Sequence, residues 1–292
     1  FSRWAISTNL PTVWSGLTFP TAVRFAPAPD TRVFVAEKRG RILEYDSVDD
    51  PSATLVINLQ KDVYNFADRG LLGLAVDPGF PARPYLYALY TRDALPDGTT
   101  PVPGGGTAPD YDNESCPIDQ CNVTGRLVKI TIDPATNLAT GTPQTLLDDW
   151  CAEYLSHSVG DLAFDQDGQL LASGGDGADF DHGDWGQQTD NPCHDPIVKD
   201  GGGNIVETPF NDPFTGAPIT VKEAEGGTLR SQDLRTPDDP TGLDGTVIRI
   251  DPDTGAASPD NPNSGATQPN ARRIVAYGLR NRKTPEAEIA TR

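Results

Sequence analysis

Short runs in which apolar and polar residues alternate recur along the chain and predict β-strands. In the first part of the sequence four such runs follow one another, covering residues 22–25, 32–36, 41–46 and 54–57. Because successive side chains of a strand point to opposite faces, this alternation is typical of a strand with one buried face. We therefore predict a four-stranded antiparallel meander.

The four-strand unit recurs twice. The second copy covers residues 72–78, 85–90, 125–130 and 144–147, and the third covers residues 162–164, 170–172, 245–251 and 274–277. In each copy the third strand follows directly after a glycine, Gly40, Gly125 or Gly245. Such repeats are typical of β-propeller blades, and an ordinary β-sandwich is the alternative. We predict an all-β chain, a β-propeller of four-stranded antiparallel blades, with about three blades present.

Residues 1–292 are predicted to form a single propeller domain. Three blades do not normally close a ring. The last residues of the sequence also lack the alternation of a strand. We therefore expect the domain to be incomplete at its C-terminus.

The composition limits the partners of the protein. A formal net charge of −19 argues against nucleic acid and against anionic membrane surfaces. No apolar run is long enough to span a bilayer, so we expect no membrane insertion. The chain begins at Phe1 and contains no Met, which favours a processed, secreted protein.

Four cysteines permit two disulfides. Cys116 and Cys121 are too widely spaced for a redox pair, and no histidine partners stand near them for zinc. We predict a local Cys116–Cys121 disulfide and a second disulfide between Cys151 and Cys193.

One of the three histidines, His157, precedes a predicted hairpin. The strand at 162–164, a turn and a return strand bring the chain back to Asp176. His157 and Asp176 should thus lie on the same side of the hairpin. A carboxylate beside an imidazole fixes its tautomer and raises its basicity, which suits a general base. The alternative is a loop histidine and a turn aspartate without a joint role.

Propeller topology brings further polar residues to this side. Loops that enter the first strand of each blade share one face with the loops between second and third strands. That face would gather His157, Asp176, Asp68, Arg69 and Arg280. Loops on a rigid scaffold often carry function.

A cluster of aspartates follows Asp176 in the third copy. Asp179, Asp181 and Asp184 offer hard oxygen ligands at short spacing, which suits calcium. A solvated acidic loop is the alternative.

Four motifs in this order carry a family resemblance: residues 68–75, 156–164, 174–177 and 276–281. Together they resemble the soluble sugar dehydrogenases that depend on pyrroloquinoline quinone (PQQ), also called the glucose/sorbosone dehydrogenase family. The resemblance implies a six-bladed propeller, of which this chain would be the N-terminal half. It also implies PQQ held by calcium, and a secreted or periplasmic location.

The resemblance further implies roles for single residues. His157 would take the proton from the anomeric hydroxyl of a sugar while hydride passes to the quinone. Asp176 would orient His157, and Arg280 would stabilise oxyanion charge. Asn281 would contact the cofactor, and Asp68 stands where glucose-oxidising members have glutamine.

The resemblance leaves two functions open, an enzyme and a binding protein. It implies a sugar dehydrogenase that passes electrons to an external acceptor. However, the family's calcium ligands and several of its PQQ contacts follow the last motif, where this chain stops. The fragment itself could therefore be inactive, and the other reading is a non-catalytic secreted propeller that binds a carbohydrate or protein through its loop-rich face.

Overall fold

The computed structural model describes residues 12–92, 123–152, 156–177, 199–211, 217–222 and 241–280. Within these ranges the chain is built almost wholly of antiparallel strands, with one short helix, α1 (Pro269–Arg273). No helix in the described part of the chain is long and apolar enough to cross a membrane.

Three sheets follow one another along the chain, and we call them blades 1 to 3. Blade 1 contains, in spatial order, β1 (Pro20–Phe25), β2 (Val33–Glu37), β3 (Arg41–Tyr45) and β4 (Thr54–Asn58). Blade 2 contains β5 (Leu71–Val76), β6 (Tyr85–Arg92), β7 (Val123–Asp133) and β9 (Gln144–Ala152), with the two-residue β8 (Leu138–Ala139) also paired to β7. Blade 3 contains β10 (Val159–Phe164), β11 (Leu170–Gly174), β14 (Thr246–Ile250) and β15 (Ile274–Tyr277). A separate hairpin is formed by β12 (Glu207–Asn211) and β13 (Pro218–Lys222).

The apolar core lies between the blades. Along β6, Leu86 and Ala88 pack against blade 1, whereas Tyr87 and Leu89 pack with residues of blade 3. The strand alternation therefore buries both faces of blade 2, because each face meets a neighbouring sheet. The first strands β1, β5 and β10 pack side by side. This arrangement of four-stranded antiparallel blades confirms the predicted all-β propeller fold.

An ion pair joins the first strands of blades 1 and 3. Arg24 of β1 donates to the carboxylate of Asp161 of β10. The same carboxylate accepts a hydrogen bond of 2.8 Å from the Leu162 N–H. Burial raises the pKa of Asp161, while Arg24 acts to lower it. The pair reaches past β5 and ties together two blades that are not sequence neighbours.

Glu44 of β3 is a buried carboxyl at the boundary between blades 1 and 2. It is 1% exposed, and within the described residues its Oε1 has no hydrogen-bond partner. Burial raises the pKa of Glu44 to about 7, and Asp46 and Asp50 add to the shift. Arg32 and a hydrogen bond from Asn137 oppose it. Glu44 therefore changes charge near neutral pH.

Glu44 should make the stability of the protein depend on pH. Its pKa is about 7 in the folded state against an ordinary 4.5, so the folded state binds the proton more tightly. The contribution of this proton to stability is complete at pH values below the ordinary pKa. It is lost as the pH rises through the pKa of the folded state. Between about pH 5 and about pH 8 we expect the wild-type free energy of unfolding to fall by about 3 kcal/mol relative to Glu44→Gln. Urea unfolding of both proteins at the two pH values measures this difference. If the free energies of unfolding of the two proteins differed by the same amount at both pH values, the prediction would be wrong.

Candidate functional site

His157 and Asp176 meet at the open end of the β10–β11 hairpin. The His157 Nδ1 lies 2.8 Å from the Asp176 Oδ1, and the two side chains are 6% and 13% exposed. Because a carboxylate is the acceptor, Nδ1 carries the hydrogen and the lone pair remains on Nε2. The pair therefore presents an imidazole whose ring is oriented by a carboxylate.

The backbone at His157 is held in an uncommon conformation. Its φ is +53°, in the left-handed region, which costs a non-glycine residue roughly 1–3 kcal/mol. Two backbone hydrogen bonds fix the segment against the strand opposite. The Gly177 N–H donates to the His157 carbonyl at 3.2 Å, and the Gly175 N–H donates to the Ser158 carbonyl at 2.8 Å. These contacts orient the imidazole towards Asp176.

Arg280 belongs to the same cluster through its backbone. The Asp176 N–H donates to the Arg280 carbonyl at 2.8 Å. The Gly245 N–H donates to the Gly175 carbonyl at 2.7 Å, and the Leu279 N–H donates to the Gly245 carbonyl at 3.0 Å. Arg280 itself is exposed. Three loop ends of blade 3 are thus tied together, with an arginine at the surface of the cluster.

Gly175 lies at the centre of these bonds and has no room for a side chain. A Cβ at this position would lie 2.3 Å from the His157 carbonyl oxygen and 2.9 Å from the Arg280 carbonyl oxygen. Both distances are far below van der Waals contact, so the backbone segments approach this closely only because the residue is glycine. The relative position of His157 and Arg280 depends on this approach.

The loop before β5 adjoins the cluster. The Ser158 hydroxyl donates to the Asp68 carbonyl at 3.2 Å, and Asp68 is exposed. Arg69 is fully buried, with its guanidinium 5.6 Å from the centroid of the Tyr64 ring. Arg69 therefore packs over the Tyr64 ring, and its contact with a cofactor stays a prediction.

Lys38 is a polar residue near the site that the sequence analysis missed. It lies in the turn between β2 and β3, and its Nζ donates to Asn65 Oδ1 at 2.8 Å. Propeller topology could have indicated this turn, because turns between the second and third strands lie on the same face as the loop that carries His157. The sequence alone does not show which residue of such a turn is half-buried.

Several predicted residues lie outside the described residues: Asn281, Asp179, Asp181, Asp184, Cys116, Cys121 and Cys193. Cys151 is disulfide-bonded, but the two pairings stay predictions because the other three cysteines are not described. In the described ranges, no group of three or more His, Cys, Asp or Glu residues is arranged to hold a metal ion. The calcium prediction is therefore untested.

The model of the Glucose / Sorbosone dehydrogenase family matches residues 17–215, which is more than half of the chain. The chain belongs to this family. The predicted resemblance to this family is thereby confirmed. No curated protein matches the chain.

Solved structures with the same fold include sugar dehydrogenases. One is described as an oxidoreductase (glucose dehydrogenase) from Thermus thermophilus, with 23% identity and a TM-score of 0.54, and the match covers 92% of this chain and 54% of that one. Another is the PQQ-bound form of an aldose sugar dehydrogenase from Streptomyces coelicolor, with 21% identity and a TM-score of 0.55, covering 93% and 54%. The chain thus spans about half the length of these proteins, and at this identity the likeness shows the fold alone.

Proposed function

We propose that the full-length protein is a PQQ-dependent oxidoreductase of an aldose or a related sugar. The observation that carries the proposal is the His157–Asp176 pair, 2.8 Å apart, beside the exposed Arg280 in a member of the glucose/sorbosone dehydrogenase family. An imidazole oriented by a carboxylate suits removal of a hydroxyl proton. A neighbouring guanidinium suits stabilisation of the oxygen that loses this proton.

The chemistry of the site residues fits PQQ. PQQ is an anionic quinone with several carboxylates, and guanidinium and ammonium groups bind carboxylates well. A basic side chain, that of Arg280, is exposed at the site although the chain carries a net charge of −19. Arg280, Asn281, Asp68 and Arg69 would hold the cofactor, as the family resemblance implies. When bound, PQQ supplies the quinone that accepts the hydride.

The chain's own residues would then handle the proton. His157 Nε2 takes the proton of the anomeric hydroxyl, so the imidazole becomes charged while Asp176 accepts from Nδ1–H. The carboxylate offsets the charge that appears on the ring. Arg280 donates to the substrate oxygen as negative charge develops there. The strained backbone of His157 needs no rearrangement during this step, because it is already fixed by its hydrogen bonds.

The family resemblance also implies calcium that holds PQQ, through ligands that follow the last motif. Independently of the resemblance, Asp179, Asp181 and Asp184 offer oxygen ligands at short spacing that suit calcium. The protein would be secreted or periplasmic and would pass electrons to an external acceptor.

The natural full-length protein, supplied with PQQ and calcium, should reduce an artificial electron acceptor when a free aldose is added. The rate should depend on both PQQ and sugar, because the site residues would handle the substrate proton and would need the cofactor as hydride acceptor. Acceptor reduction over a panel of aldoses measures this, and omission of PQQ is the control. A protein that neither binds PQQ nor oxidises any sugar of a broad panel would instead favour a non-catalytic propeller that binds through the same face.

A further inference from the structure

The turn that carries Lys38 is held firmly against the loop before β5. The Lys38 carbonyl accepts a hydrogen bond from the Leu71 N–H at 2.8 Å, and the Lys38 N–H donates to the Phe19 carbonyl at 2.9 Å. Gly70 lies so close that a Cβ there would be 2.6 Å from the Lys38 carbonyl oxygen and 2.7 Å from its Cγ. The base of the lysine side chain therefore has a fixed position beside residues 68–70.

The end of the side chain is also oriented. Lys38 Nζ donates to Asn65 Oδ1 at 2.8 Å, and the residue is half-buried. Burial lowers the pKa of Lys38, Asp68 acts to raise it, and Arg39 acts to lower it. An ammonium has three N–H donors, and among the described residues Asn65 accepts one of them. Two donors in a partly desolvated position are therefore available to a ligand.

Lys38 is connected to the catalytic cluster by short contacts. Ser158, the neighbour of His157, donates to the Asp68 carbonyl at 3.2 Å. Asp68 is exposed, and its charge acts on Lys38. These contacts connect His157, through Ser158 and Asp68, to Lys38. A sugar whose anomeric hydroxyl meets His157 would then offer its other hydroxyls to Lys38.

The pair of charges matches a neutral polyol. A sugar hydroxyl both donates and accepts hydrogen bonds. The ammonium can therefore donate to one hydroxyl, and the carboxylate can accept from the next. An anionic ligand would gain from Lys38 but lose from Asp68, because like charges at short distance repel each other. The arrangement therefore favours an uncharged sugar at this end of the mouth.

We infer that Lys38, held by Asn65 beside Asp68, is a specificity-determining residue that donates to a ring hydroxyl of the bound sugar. The inference rests on the proposed sugar oxidation and adds the blade 1 turn to the substrate site. It concerns substrate binding and assigns no chemical step to Lys38.

The test compares the wild-type full-length protein with Lys38→Met. Sugar binding is measured by titration calorimetry, and KM and kcat are measured with PQQ present. Because a charged donor is lost, the Kd and KM of the preferred aldose should rise about tenfold while kcat changes less than about twofold. With the wild-type protein, the Kd of one deoxy analogue should also be about tenfold higher than that of the aldose. With Lys38→Met, the aldose and this analogue should have similar Kd values, because the lysine and the missing hydroxyl form one pair.

Two further variants separate a binding role from a structural one. Lys61→Met removes the same charge from an exposed lysine between β4 and β5, and it should leave KM unchanged. If Lys38→Met does not fold, Lys38→Gln provides the same comparison, and a higher KM with a wild-type thermal midpoint supports the inference. A wild-type KM in the folded variant overturns it, as does a loss of PQQ affinity without a change in KM. A wild-type protein that binds no sugar contradicts the proposed function itself.

Discussion

His157→Ala should lower the turnover of the PQQ-loaded protein by about 10²- to 10⁴-fold, the usual contribution of a general base. The alanine removes Nε2, the atom of the His157–Asp176 pair that is proposed to take the substrate proton. The carboxylate of Asp176 would remain, 2.8 Å from the place where Nδ1 had been, and the lost ring would no longer relay its charge to the substrate. Steady-state rates with the preferred aldose and an artificial acceptor give the factor.

PQQ binding provides the control for this variant. The basic side chains at the mouth are unchanged by His157→Ala, so the cofactor should bind with nearly wild-type affinity in a fluorescence titration. Loss of PQQ binding would make His157 a cofactor ligand. A wild-type rate would remove it from the mechanism.

Gly175→Ala should disturb both the stability and the activity of the protein. The added methyl group would overlap the carbonyl oxygens of His157 and Arg280, so one or both loop ends must move. Overpacking of this kind costs about 1–3 kcal/mol of the free energy of unfolding. Turnover should fall as well, because a displacement of about 1 Å at a catalytic group can cost about 10²-fold. Urea unfolding and steady-state kinetics measure the two effects.

Gly201→Ala is the matched control. A Cβ at Gly201 meets nothing within 4 Å and its backbone is outside the left-handed region. This variant therefore carries the same change in the entropy of the unfolded chain without the overlap. If Gly175→Ala behaved like Gly201→Ala in both assays, the close approach at Gly175 would have no role in placing the site.

The blades could be predicted because their signal is local. Strand alternation and the turns between strands are visible in short windows, so the four strands of each blade were found. The same local logic placed His157 and Asp176 at one end of a hairpin, and the structure brings their side chains into contact. Their catalytic roles stay predictions, since contact alone does not show chemistry.

The remaining elements depend on tertiary contacts. β9 extends to Ala152, beyond the predicted end at 147. Its Asp148 pairs with Arg126 of the adjacent β7 and with Arg92 of β6. Charged positions of this kind interrupt the apolar pattern, so the sequence indicated an earlier end. The burial of Arg69 under Tyr64 likewise depends on how a loop packs. The hairpin of β12 and β13 lies between the second and third strands predicted for the third copy, a stretch in which the sequence predicted no strand.

The Arg24–Asp161 ion pair has a consequence for how the blades unfold. In a chain of repeated units, stability is usually a sum of each unit and its contacts with the next, so an end unit can open first. Here Arg24 of blade 1 also pairs with a carboxylate of blade 3, two blades further along the chain. Opening blade 1 would leave the carboxylate of Asp161, which is 7% exposed, without its cation in a partly desolvated place. Opening of blade 1 alone is thereby penalised, so the local unfolding of blade 1 should be coupled to that of blade 3.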